Sequence, residues 1–163
     1  MEGKVEIKDL APQRVLTMRF HSNVEKIGTD IGTAFAAFFH YLAELGENPA
    51  GMPFTLYHLD VEGEFDPREF DSQNIDMEVV VPTAGLLESN GEIEARELPG
   101  GMVAFVMHKG PYKDIEPAYE AIADFVKKNG YRYSGPPREI YFNDPNEVPQ
   151  SELLTEIQFP ISK

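Results

Sequence analysis

Two glutamates and two tyrosines stand at matching places in the two halves of this 163-residue chain. FTLYHLD (54–60) aligns with REIYFND (138–144), which puts Tyr57 on Tyr141 and Asp60 on Asp144. DMEVVVP (76–82) aligns with LTEIQFP (154–160), which puts Glu78 on Glu156 and Pro82 on Pro160. A carboxylate flanked by aromatic faces suits a flat, apolar, cationic molecule, because the rings supply stacking and cation–π attraction while the glutamate supplies the countercharge. Partial burial would also raise a glutamate's proton affinity and make it a candidate general acid or base. Taken singly, Glu156 reads as a solvent-facing strand residue and Tyr141 as a ring at a sheet edge. Their recurrence as a pair is what points to a site.

The elements that must position these residues also come twice. VEIKDLAPQRVLTMRF (5–20) aligns without a gap with IEARELPGGMVAFVMH (93–108), so Val5 falls on Ile93, Leu10 on Leu98 and Val15 on Val103. Strands are expected over 5–10 and 14–20, around the turn signal Ala11-Pro12. Ile27, Ile31, Phe35, Phe38 and Leu42 recur at helical spacing and predict a helix over about 24–45 that Gly46 stops. Strands follow at 54–59 and 77–81, separated by the acidic segment EGEFDPREFDSQN, which reads as an exposed loop. After a connector near 84–91, strands over 94–98 and 102–107 repeat the plan. A helix over about 115–128 places Ile115, Tyr119, Ile122 and Phe125/Val126 inward, with Lys127 and Lys128 at its negative end and Gly130 as cap. Strands over 138–142 and 154–161 close the chain.

The expected fold is therefore α+β: a duplicated β-β-α-β-β unit with pseudo-twofold symmetry, antiparallel sheet, one long helix per half and a central ligand cleft. A half of about 80 residues is small for independent stability, so residues 1–163 are read as one domain with pseudo-repeats over about 1–83 and 92–163. Side chains alternate faces along a strand. If the apolar rows face the helices, Tyr141 and Glu156 project together onto the uncovered face, and Tyr57 and Glu78 do the same. Tyr112, in the turn HKGPY, is placed to rim the groove. Phe105 and Met107 share a strand row and could line it, though core is the plainer assignment for both.

Bulk composition excludes several functions. With 28 acidic residues against 14 Lys and Arg, the formal net charge is −14. Counterion release cannot drive binding to a polyanion from such a surface, so no nucleic-acid partner is expected. There is no cysteine, which removes disulfides, thiol nucleophiles and iron–sulfur ligation. Four scattered histidines offer no metal-ligand spacing, and neither metal nor cofactor is expected. No apolar run approaches the ~18 residues of a membrane span. A cytoplasmic protein with no membrane partner is expected.

The segments ELPGGMVAFVMHKGPY (97–112) and GPPREIYFNDPNEVPQSELLTEIQFPI (135–161), with the first-half echo FTLYHLD and MEVVVP, resemble the GyrI-like small-molecule-binding domain. That domain also serves as the effector-binding part of AraC-type and MerR-type multidrug regulators. The resemblance covers nearly the whole chain. It implies a central cleft for lipophilic, often cationic, compounds, with a buried glutamate on the last strand that lands on Glu156 and a tyrosine that lands on Tyr141. A helix-turn-helix does not accompany the repeat, so a stand-alone binder is expected, sequestering or sensing its ligand. Some stand-alone members resemble hydrolases of cyclopropane-bearing toxins. In that alternative Glu156 directs water or protons and Tyr141 orients the ligand, but tryptophan, a common cleft aromatic, is absent. Members named as gyrase inhibitors imply a protein partner such as DNA gyrase as a further alternative. A haem-binding family of related duplicated (SOUL-like) fold is the last, and nothing here marks an axial ligand.

Overall fold

The computed structural model describes residues 3–58, 73–143 and 147–163. Among the described residues, nine strands and two long helices run in the order β1 (Glu6–Leu10), β2 (Gln13–Ser22), α1 (Ile27–Leu45), β3 (Phe54–Tyr57), β4 (Ile75–Pro82), β5 (Glu94–Leu98), β6 (Gly101–Lys109), α2 (Glu116–Lys128), β7 (Arg132–Tyr133), β8 (Arg138–Tyr141) and β9 (Leu154–Ser162). Apart from the two-residue β7, each lies where the sequence predicts a strand or helix, with ends shifted by a few residues. The fold is α+β with antiparallel strand pairs. The acidic segment falls almost wholly outside the described residues, as do Asp60 and Asp144.

The chain gathers into two compact units. Of the described residues, the N-terminal unit holds 11–58 and 73–100, and the C-terminal unit holds 3–10, 101–143 and 147–163. Their boundaries fall after Leu10 and Gly100, at different places from those of the sequence repeats over about 1–83 and 92–163. Strand β1 pairs with β6 of the second repeat, aligning Glu6 with Phe105 and Lys8 with Val103. Strand β5 pairs with β2 of the first, aligning Val15 with Arg96. A tight two-residue hairpin would need positive φ in its loop, and Pro12 cannot supply it. No non-glycine residue among those described has positive φ. Ala11-Pro12 therefore sends the chain onward instead of folding β2 back on β1.

In the C-terminal unit the strands lie in the order β1-β6-β9-β8, with β7 also on β9. Helix α2 packs Ala118, Ile122 and Val126 onto Ala104, Val106, Ile157, Phe159 and Ile161. Phe159 is enclosed by the rings of Tyr119 and Tyr133, with centroids 5.8 and 5.2 Å away. At the end of α2, Gly130 takes φ 72°, a left-handed cap that costs glycine no Cβ clash.

In the N-terminal unit β4 pairs with both β2 and β3, and α1 lies against β2 and β4. Its buried stripe is Ala34, Phe38, Tyr41 and Leu42. Ile27, Ile31 and Phe35, expected inward, are only half-buried. The helix begins at Ile27, not near 24, because Asn23 Oδ1 accepts the N–H groups of Glu25 and Lys26 and turns the chain there. Gly46, at φ 69°, ends it.

Both units carry one further shared device. Ala50 N–H donates to Pro82 O and Ser134 N–H to Pro160 O, each at 2.9 Å. A Cβ added at Gly51 or at Gly135 would lie 3.4 Å from the facing proline ring.

Candidate functional site

In the C-terminal unit, strand register decides which side chains meet. Met107, Glu156 and Ile140 are directly opposite one another across β6, β9 and β8, and Phe105, Gln158 and Arg138 form the next row. Directly opposed residues share a face. Since Ala104, Val106, Ile157 and Phe159 face α2, Glu156 projects from the opposite side of the sheet. It is 6% exposed, so the carboxylate does not point into open water.

A buried carboxylate needs donors. Lys8 of β1 donates Nζ–H to Glu156 Oε2 at 2.8 Å, and Gln158 donates Nε2–H to the same oxygen at 2.5 Å. The Lys8 ammonium also lies 4.2 Å from the centroid of the Phe105 ring. An ammonium thus sits between a carboxylate and an aromatic face. Phe105 and Met107 are half-buried on this side, while Ala104 and Val106 provide the core of β6.

Tyr141 does not join them. It is opposite Thr155, and the alternation along β8 puts it on the α2 side with Glu139, opposite Ile157. The expectation that Tyr141 and Glu156 share a face is corrected by this register. Strand β8 turns its polar row, not its apolar one, toward the helix, because the helix supplies a partner: Tyr119 donates its hydroxyl to Glu139 Oε2. Burial drives the Glu139 carboxyl up to about 7 despite that hydrogen bond. Burial likewise pushes the Tyr119 hydroxyl well above its ordinary value, and the Glu139 charge adds to it. Tyr141 packs edge-on against Tyr112, centroids 6.0 Å apart at 72°, and Tyr112 is 38% exposed on a short 3-10 turn after β6.

The N-terminal unit shows the same division. Tyr57 is opposite Met77, whereas Glu78 is opposite Leu56 and Arg19, so Tyr57 and Glu78 also lie on opposite faces. Glu78 is 3% exposed. His58 Nε2 lies 2.9 Å from Oε1, and Arg96 donates to Oε2 through Nη2 at 2.6 Å and Nε at 3.2 Å. Burial alone would raise the Glu78 carboxyl. Hydrogen bonds from His58, Arg96 and Thr17, with the Arg96 charge, outweigh it and hold it at about 2. Arg19 is occupied by a fork onto Asp76 at 3.0 and 2.8 Å.

The residues missed in the sequence are the partners: Lys8, Gln158, Arg96, His58, and the Glu139–Tyr119 pair. The repeat alignment held a signal for some of them. It places Lys8 on Arg96, so the two carboxylates receive their cations from equivalent strand positions. It also places Thr17 on Phe105, Arg19 on Met107 and His58 on Phe142. The second half thus carries Phe105, Met107 and Phe142 at the positions where the first has polar side chains. Among the described residues no group of three or more His, Asp or Glu is placed to hold a metal ion, and no helix is long and apolar enough to cross a membrane.

Comparison with known proteins follows this geometry. None of the curated protein sequences matches the chain. The C-terminal domain of EcmrR superposes with a TM-score of 0.76 at 26% identity, covering 98% of both chains. EcmrR in a DNA complex superposes at 0.83 and 25% identity, with 98% of this chain covered but only 57% of that one. The chain thus spans little more than half the length of that relative. At lower identity, showing fold alone, are a Listeria innocua protein described as a hydrolase (TM-score 0.69, 15% identity, 98% and 92% covered) and SAV2435 bound to tetraphenylphosphonium (0.57, 13%, 98% and 94% covered). The model of the GyrI-like small molecule binding domain matches residues 3–162, and the chain belongs to that family.

Proposed function

We propose that the protein binds lipophilic cations through Glu156, with Phe105 and Met107 as its apolar walls. One observation carries the reading: the position beside Glu156 already holds a positive charge against an aromatic ring, in the form of the Lys8 ammonium. A delocalised organic cation makes the same two contacts and adds apolar area that a lysine lacks. That SAV2435 is bound to tetraphenylphosphonium supports this choice of ligand class. Glu78 is the structural counterpart, both its oxygens already occupied by His58 and Arg96. Tyr141 lies on the α2 side, opposite Thr155, with its ring edge-on to that of Tyr112.

A thermal-shift panel tests the proposal, because a ligand that binds only the native state raises its melting temperature. Tetraphenylphosphonium and planar cationic dyes should raise it more than neutral compounds of the same size. A panel in which no lipophilic cation shifts the transition would overturn the reading. The Listeria innocua hydrolase of the same fold makes turnover the second outcome to monitor: excess cyclopropane-bearing compound converted by substoichiometric protein, followed by mass, would replace binding with hydrolysis.

A further inference from the structure

We infer that Lys8 is a built-in competitor for the cation site, an internal stand-in that a ligand must displace before it reaches Glu156. The inference rests on the assignment of Glu156 as the ligand's countercharge and adds to it the residue that sets the affinity threshold.

The geometry distinguishes the two cations that occupy repeat-equivalent places. Arg96 approaches Glu78 with two nitrogens and shares it with His58, and together they cover both carboxylate oxygens. That arrangement is closed. Lys8 makes one contact to Glu156, on the oxygen that Gln158 also reaches. Its side chain is 37% exposed, against 8% for Glu156. A lysine is a flexible point charge, whereas an arginine is a rigid fork. Lys8 can swing its ammonium into water without breaking any main-chain bond of β1, because the strand is held to β6 through its backbone.

The exchange balances charge. A cationic ligand enters as the Lys8 ammonium leaves, so Glu156 remains paired and no net charge is buried. The competitor also confers selectivity. A small hydrated ammonium gains nothing over lysine and cannot displace it. A large delocalised cation gains the apolar area of Phe105 and Met107. Neutral compounds leave the ion pair standing and receive no benefit from Glu156.

The test uses tetraphenylphosphonium as probe with the full chain and three variants, K8M, E156Q and the double variant. Met keeps the aliphatic stem of Lys8 and removes only its charge. Freed of the competitor, K8M should bind about three- to tenfold more tightly, the scale of one partly exposed charge contact on a ring. The gain should vanish in the E156Q background. Equal or weaker binding by K8M, with E156Q still weakened, overturns the competitor while leaving Glu156 as the ligand's partner. Equal binding by wild type and E156Q overturns the Glu156 assignment and the competitor with it. Binding by none of the four proteins has the same consequence.

A second measurement separates competition from a structural role. Brief acetylation followed by mass spectrometry reads the accessibility of the Lys8 amine. Saturating tetraphenylphosphonium should increase Lys8 acetylation, since the ligand expels the amine into solvent. Unchanged or reduced acetylation at saturation overturns the displacement.

Discussion

The Tyr119 hydroxyl donates to Glu139 beneath helix α2, and this contact ties the helix to the strand carrying Tyr141. The carboxyl is held at about 7 by burial, above its ordinary 4.5. A raised carboxyl binds its proton more tightly folded than unfolded, so the native state is penalised as pH climbs from about 4.5 through about 7. The full penalty, present above about pH 7, is on the order of 3 kcal/mol. Glu139→Gln should therefore stabilise the protein at pH 8 and change little at pH 4. Denaturant unfolding at both values checks it, and equal effects at the two would contradict the assignment.

Glu78 predicts the opposite slope. Its carboxyl lies at about 2 in the folded protein, below the unfolded value, so its stabilising effect is complete above about pH 4.5 and disappears as pH falls through about 2. Glu78→Gln should cost about 3 kcal/mol at pH 7, the scale of stranding a buried partner charge. Its stability profile should be flatter than that of wild type over this acid window. A profile parallel to that of wild type would argue that the His58 and Arg96 contacts are energetically idle.

Glu156→Gln keeps the shape and one acceptor but removes the charge that a cationic ligand would meet. Affinity for a cationic dye should fall by about 1 to 3 kcal/mol, read by titration calorimetry. Affinity for a neutral compound of similar size should change far less. Undiminished cation affinity in a folded variant would remove Glu156 from the site.

Ile122 anchors α2 at full burial among Ala104, Val106, Ile157 and Phe159. Ile122→Ala should destabilise by about 2 to 5 kcal/mol, the transfer loss plus the cavity. The unfolding midpoint measures it, and a cost under about 1 kcal/mol would mean the α2 interface repacks freely.

The sequence showed the strands and helices because hydrophobic period is a local property. Phe38 and Leu42 declare α1, and the alternation Ile157, Phe159, Ile161 declares the inward row of β9. Glu156 was legible for the same reason, as a member of the other row. The facing of β8 was not legible, since Glu139 and Ile140 look like an ordinary polar and apolar pair. Only the Tyr119 hydroxyl, supplied from another element, makes Glu139 the inward residue. Lys8 was hidden by distance: it and Glu156 are 148 positions apart, and their meeting depends on β1 choosing β6 over its immediate neighbour β2.

That choice of partner has a consequence for how the molecule is made. Strand β1 is synthesised well before its partner, which begins only at Gly101. Glu6–Leu10 must wait without that partner until Gly101–Lys109 has been made. Long-range closure of this kind slows folding. A fragment starting at Gly101 would lack both the outer strand and the lysine that neutralises its buried carboxylate. The C-terminal unit is thus finished by a strand made before any of the N-terminal unit.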